Sequence, residues 1–156
     1  MAVLLAVMIC AAVYLAVFWE PGSVRGEFVP PEFDASAQSG APGTLDEALA
    51  YGTLELNKTA VVSMCANVTC ENNAARMYFT SHEGNTGWLK IKLFDAEGNL
   101  LGQSGLVRPG EYIESVALTT VPKASGLVVA KILIYEPETY LSLGSAQAQI
   151  MLIPAQ

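Results

Sequence analysis

From residue 2 to residue 19 the chain is apolar without interruption (AVLLAVMICAAVYLAVFW), and after residue 52 it becomes a succession of short alternating runs. The first pattern holds no charge, Pro or Gly. At about 1.5 Å rise per residue it makes a helix roughly 27 Å long, close to the hydrocarbon thickness of a bilayer. The second pattern has the two-residue period of half-buried strands. Between Thr59 and Cys70, Val62, Met64, Ala66, Val68 and Cys70 share one face, and Ser63, Cys65, Asn67 and Thr69 the other. Arg76–Ser81 is a second run. In Trp88–Phe94, Leu89, Ile91 and Leu93 point inward and Lys90 and Lys92 outward. Leu100 onward, Tyr112–Thr119, Leu127–Tyr135 and Ala146–Ile153 follow, with Leu127–Tyr135 the most apolar and therefore central. Turn residues separate the runs: Glu71–Ala74, His82–Gly87, Asp95–Asn99, Val107–Glu111, Pro122–Gly126 and Glu136–Thr139. That rhythm is the one expected of antiparallel sheets. The expected fold is all-β: a single immunoglobulin-like antiparallel sandwich of about seven strands, preceded by an N-terminal hydrophobic α-helix.

The expected organisation is a transmembrane or assembly helix (2–19), an acidic Pro/Gly-rich linker (20–51) and a β-sandwich domain (52–156). A cleaved signal peptide needs a basic start and a small-residue cleavage site. No Lys or Arg precedes the apolar run, and it ends in Phe18-Trp19-Glu20-Pro21. A membrane span agrees better: Tyr14 and Trp19 suit the interface, and Pro21-Gly22 stops the helix. A pilin-like assembly helix would carry a Glu near its fifth residue, where this chain has Leu5. The expected placement is a single span with the C-terminal domain outside, the alternative an extracellular filament.

Within the linker, Phe28, Val29 and Phe33 stand out from Pro, Gly, Ser and acids. Their simplest role is to pack on the flank of the body. The sharper one is an assembly segment that docks on a partner, although Pro30 and Pro31 remove two ladder donors. Thr44–Tyr51 (TLDEALAY) reads as one helical turn capped by Thr44, with Glu47 three residues on.

Charge changes this picture in one respect. The net charge is −7. Residues 20–57 hold seven acids against Arg25, whereas residues 58–156 hold eight acids against seven bases. The linker is acidic and the body nearly neutral. No basic patch appears anywhere in the sequence, which argues against nucleic acid and anionic membrane surfaces as partners. Cys65 and Cys70 have a C-x4-C spacing. On one extended strand their Cα atoms are roughly 16 Å apart, against the roughly 7 Å limit of a disulfide, so pairing is disfavoured.

No catalytic, cofactor or metal constellation is legible. His82 is the single histidine and reads as a loop residue. Asp95, Glu97 and Asn99 fall short of a twelve-residue calcium loop and suit a hairpin instead. Glu111 and Glu114 are unmarked, and the serines lack G-x-S-x-G context. Asn57-Lys58-Thr59 and Asn67-Val68-Thr69 match the glycosylation sequon, which matters only in a eukaryotic secretory route. Aromatic residues carry the remaining signal. Trp88, Tyr112, Tyr135 and Tyr140 are most simply core or half-buried sheet residues; Trp88, Tyr135 and Tyr140 are the candidate partner contacts among them, Tyr135 and Tyr140 flanking the acidic turn Glu136-Pro137-Glu138-Thr139.

The strings EFVPPEFD (27–34), NTGWLKIKLFDAEGNLLGQSGLVRPGEYIESV (85–116), TVPK (120–123) and YEPETY (135–140) together resemble a group of small membrane-anchored proteins of Firmicutes, largely uncharacterised. The resemblance covers nearly the whole chain. It implies one N-terminal membrane segment, a proline-rich acidic stretch and a β-sandwich (Ig-like) body, and it makes glycosylation of the sequons unexpected. Its strings look structural: Gly105 and Gly110 permit tight backbone and Pro109 fixes a turn. The function expected is non-enzymatic: a membrane-tethered extracytoplasmic β-sandwich that binds a protein or a surface polymer, or serves as a cell-surface structural module. The alternative is a pilus-like filament subunit assembled through the N-terminal helix or a donated strand.

Overall fold

The computed structural model describes residues 28–56 and 60–155. The helix expected over residues 2–19 lies outside them. Among the described residues no helix is long and apolar enough to cross a membrane. They are dominated by strands: β1 (Gln38–Ser39), β2 (Tyr51–Leu56), β3 (Ala60–Cys65), β4 (Asn67–Glu71), β5 (Ala74–Ser81), β6 (Trp88–Phe94), β7 (Leu100–Gln103), β8 (Glu111–Ala117), β9 (Gly126–Tyr135) and β10 (Ser142–Pro154). A short 3-10 turn, Glu47–Leu49, precedes β2. Asp46 caps it, its carboxylate accepting from the Ala48 N–H at 2.9 Å; Thr44 is not the cap.

The expected sandwich is overturned. The strands form one curled, mixed sheet, a half-barrel with the path β1-β8-β5-β4-β10-β9-β6-β7. β2 and β3 branch from it, β3 pairing with β2 and with the end of β5. The decisive pairing is parallel: Met151–Pro154 of β10 runs beside Asn67–Cys70 of β4. The last strand is thereby inserted between β4 and β9 and joins what would have been two sheets into one. Parallel neighbours require a long connection, so local alternation cannot announce them. At the far end Gly102 meets Leu118 in an isolated bridge. There the Thr119 N–H donates to the Leu101 carbonyl at 2.8 Å.

The run read as Thr59–Cys70 is two strands. The chain bends at exposed Ala66 and changes partners. Ala66 donates to the Ala50 carbonyl at 3.1 Å and accepts from the Met151 N–H at 2.8 Å. β4 and β5 then turn through Asn72 and Asn73, both at positive φ (50° and 60°), the backbone that a two-residue I′ hairpin needs and that Asn tolerates. The inward residues of β6, β9 and β10 form the core with Val62, Val68, Met77, Phe79 and Ile113, all fully buried. Each such large side chain contributes about 1.5–3 kcal/mol relative to leaving it exposed.

Cys65 and Cys70 are buried and unpaired. Burial pushes the Cys65 thiol up to about 11 and raises that of Cys70. In the unfolded chain the Cys65 thiol ionises near 9.0, so the unfolded state loses its proton first. The stability held by the buried neutral thiol is therefore complete below pH 9 and is lost as pH rises toward 11. Denaturant midpoints taken across that window should fall, and a Cys65→Ala variant should flatten the decline. A midpoint equally steep in that variant would contradict the assignment.

Candidate functional site

Trp88 opens β6, and three further rings form a chain around it. The Phe33 ring meets Trp88 edge-on at 4.7 Å between centroids. Tyr140 meets Trp88 from another side at 5.2 Å, and Phe28 lies 6.1 Å from Tyr140. These are the separations of attractive aromatic pairs, worth about 0.5–1.5 kcal/mol each beyond burial. Two of the segments singled out by sequence, Phe28–Phe33 and the Tyr140 turn, thus converge on Trp88.

Backbone bonds hold Phe33 in place. The Asp34 N–H donates to the Leu106 carbonyl, and the Leu106 N–H to the Glu32 carbonyl, both at 2.9 Å. The Gly105 N–H donates to Asp34 Oδ2 at 2.8 Å. The approach at Gly105 is so close that a Cβ there would lie 2.5 Å from the Asp34 nitrogen. On the outer side the Arg108 guanidinium carbon sits 3.6 Å from the Phe33 ring centroid. Arg108 also pairs with Glu111 at 3.4 Å.

Tyr140 is held differently. It takes a left-handed backbone (φ 58°), as does Glu138 (φ 69°), a region that costs a bulky L-residue roughly 1–2 kcal/mol. The turn is closed by the Tyr140 N–H on the Glu136 carbonyl at 3.0 Å. Within it the Thr139 hydroxyl donates to Glu136 Oε2 at 2.6 Å. The strain is local to the residue whose ring completes the cluster. Exposed apolar side chains border it: Phe28 (64 %), Val29 (79 %), Leu141 (64 %) and Leu143 (42 %). Singly exposed apolar residues are ordinary, whereas contiguous ones mark contact surfaces. Tyr135 lies opposite Trp88 on β9 and is half-buried. Tyr112 stands apart on β8, its hydroxyl donating to Gln38 Oε1 at 3.0 Å.

A second feature was not legible in the sequence. A cleft of about 500 Å³ is lined by Tyr51, Thr53, Ser63, Thr80, His82 and Glu83, among others. Ser63 Oγ is 2.9 Å from His82 Nε2 and 2.7 Å from Thr53 Oγ1. The Tyr51 and Thr80 hydroxyls are 2.7 Å apart. Asn85 positions the loop: its amide bonds both the N–H and the carbonyl of Val61, at 2.7 and 2.8 Å. It also donates to Ser81 Oγ at 3.0 Å. The Ser63–His82 distance is one at which imidazole can take a hydroxyl proton. Acyl transfer also needs a group that orients the second ring nitrogen and donors for an oxyanion. Among the described residues no side chain hydrogen-bonds His82 Nδ1. No signal in the sequence marks the cleft: Thr53 and Ser63 come opposite each other only when β2 and β3 pair.

Asp95 belongs to a hairpin, as its sequence suggests. It accepts from the Asn99 N–H at 2.7 Å and from the Asn99 amide at 2.9 Å, and the Asn99 side chain leads in holding its carboxyl below the usual range. Among the described residues no cluster of three His, Cys, Asp or Glu is placed to hold a metal. Comparison of the chain with protein-family models and with curated proteins finds no match.

Proposed function

We propose that this chain is a non-enzymatic, membrane-tethered binding module whose β body stands outside the cell and contacts a protein or a surface polymer through the Phe28–Phe33–Trp88–Tyr140 patch. The observation that carries the reading is the strained turn that sets Tyr140 against Trp88 beside four exposed apolar side chains. Rings held in advance lose little conformational freedom on binding, and aromatic anchors dominate contact energetics. The tether rests on the uninterrupted apolar run 2–19 and on the resemblance to membrane-anchored proteins of Firmicutes. The alternative, a filament subunit built through the N-terminal helix or a donated strand, has less support: Glu32–Asp34 of its candidate donor already pair with Leu106 of the same chain.

Tyr140→Ser in the full-length chain, held in detergent micelles, tests the reading. Binding to isolated cell envelopes is expected to weaken at least about tenfold, since central aromatic anchors cost roughly 2 kcal/mol or more on truncation. The melting temperature should change little, because the half-buried Tyr140 ring adds only about 0.5–1.5 kcal/mol for its contact with Trp88. Undiminished envelope binding would overturn the proposal.

A further inference from the structure

The outer face of β6, β9 and β10 gathers charge that no run of sequence displays. Alternation puts Lys90 and Lys92 on that face beside Trp88 and Phe94, with Leu89, Ile91 and Leu93 buried behind them. The register sets Lys131 directly opposite Lys92, and Lys90 opposite Leu133. Lys90 and Lys131 are therefore diagonal neighbours, and the three ammonium groups form a triangle. Flanking strands extend the middle row: Gln147 faces Lys131 and Gln103 faces Lys92. No basic patch is legible along the sequence; cross-strand pairing is what brings these three lysines together.

This arrangement is costly for folding alone. Like charges directly opposite on a sheet repel, and neighbouring carboxylates are the usual relief. None occupies an outward position on these three strands. The ion pair found among the described residues is Arg108–Glu111, elsewhere. Burial, and then Lys92, lower the pKa of Lys90, as such crowding requires. Among the described residues of β6, β9 and the turns that flank them, carboxylates stand beyond the ends of the strip, Asp95 and Glu97 past Phe94 and Glu136 and Glu138 past Tyr135.

We propose that this lysine strip binds an anionic polysaccharide, which continues onto the adjoining Trp88 and Tyr140 rings. The inference deepens the surface-polymer branch of the function proposed above and rests on it. Alternate lysines on one strand are spaced by about 7 Å, suited to charges that recur along a sugar chain. The glutamine amides offer donors and acceptors for hydroxyls, and the aromatic faces offer an apolar platform. Three cations bounded by carboxylates, on a chain of net charge −7, match a polymer that carries its charge as one carboxylate per sugar on a hydroxyl-rich chain. They do not match the dense phosphates of nucleic acid, which such a chain repels.

The test is binding of full-length protein in micelles to polygalacturonate, with neutral dextran, polyglutamate and single-stranded DNA as comparators. Wild type should bind polygalacturonate in preference to all three, and added salt should weaken that binding. The double variant Lys92→Gln, Lys131→Gln should lose at least about tenfold, while its melting temperature stays level or rises because repulsion is removed. Polygalacturonate binding unchanged in the double variant, no binding by wild type, or tighter binding to polyglutamate or DNA would overturn the inference. Envelope binding separates the two proposals. If Tyr140→Ser abolishes it and the lysine variant retains it, the patch stands and the lysine strip falls; the reverse result sinks the patch, and with it the extension of the polymer onto the rings, and leaves a site confined to the lysines.

Discussion

Gly105→Ala is expected to detach residues 28–34 from the sheet and to abolish partner binding without unfolding the body. The added methyl would sit 2.5 Å from the Asp34 nitrogen, 2.6 Å from its Cα and 2.8 Å from the Phe33 carbonyl carbon. All three are backbone atoms, which cannot rotate away as a side chain can. The arm must therefore move. Its departure breaks the bonds between Leu106 and residues 32 and 34, the Gly105–Asp34 bond, and the Phe33–Trp88 contact. At about 1 kcal/mol net for each hydrogen bond and for the ring pair, the local loss is roughly 4 kcal/mol at most. The core strands do not depend on the arm, so the main melting transition should persist. Trp88 emission, read in a Trp19→Phe background, should shift to longer wavelength as Phe33 leaves. Limited proteolysis should cut the freed arm. An unshifted Trp88 spectrum together with an intact arm would show that the close approach at Gly105 is not what holds the segment.

Gly102→Ala is expected to destabilise the whole fold. A Cβ at this position would lie 2.3 Å from the Ala117 carbonyl oxygen and 3.0 Å from Leu118 Cδ2. The position is where β7 meets the chain just after β8, and the nearest obstacle, the Ala117 carbonyl, is backbone that cannot rotate away. Separating them strips the Leu101 carbonyl of two bonds, from the Thr119 N–H at 2.8 Å and from the Thr119 hydroxyl at 2.9 Å. It also loosens the packing of buried Leu101 and Leu118. Overpacking against backbone costs typically 1–3 kcal/mol, and the broken seam adds to it. A fall in melting temperature on the order of 10 °C follows for a domain of this size. Calorimetry of the variant checks it, and a melting temperature within about 2 °C of wild type would mean that the seam contributes little.

The two substitutions differ because the two glycines face different neighbours. Gly105 abuts an arm that can leave; Gly102 abuts a strand that cannot. Sequence marked Gly105 as tight backbone but offered no way to name Asp34 as the neighbour, since the two are far apart along the chain.

The same division runs through the molecule. What the amino-acid sequence by itself determined is local: where most of the strand runs from residue 76 onward lie and which side of β6 is inward; on β3 the alternation did not decide the face, since Ser63 and Cys65 are buried beside Val62 and Met64. β6 spans the residues its alternation marked, β9 is central between β10 and β6, and Asn72-Asn73 turns where a turn was expected. Those properties depend on the two-residue pleat, on burial of individual side chains and on the φ preferences of single residues. Partnership is not local. Which strand lies beside which is settled by competition among all strands for a common core, so the parallel insertion of β10 against β4 replaced the expected sandwich with one mixed sheet. Once pairing is set, remote residues become neighbours. Phe33, Trp88 and Tyr140 meet, Ser63 reaches His82, and Lys131 comes to stand opposite Lys92. Only the tertiary structure could decide these juxtapositions, because each is made by the register between strands and none by the residues alone.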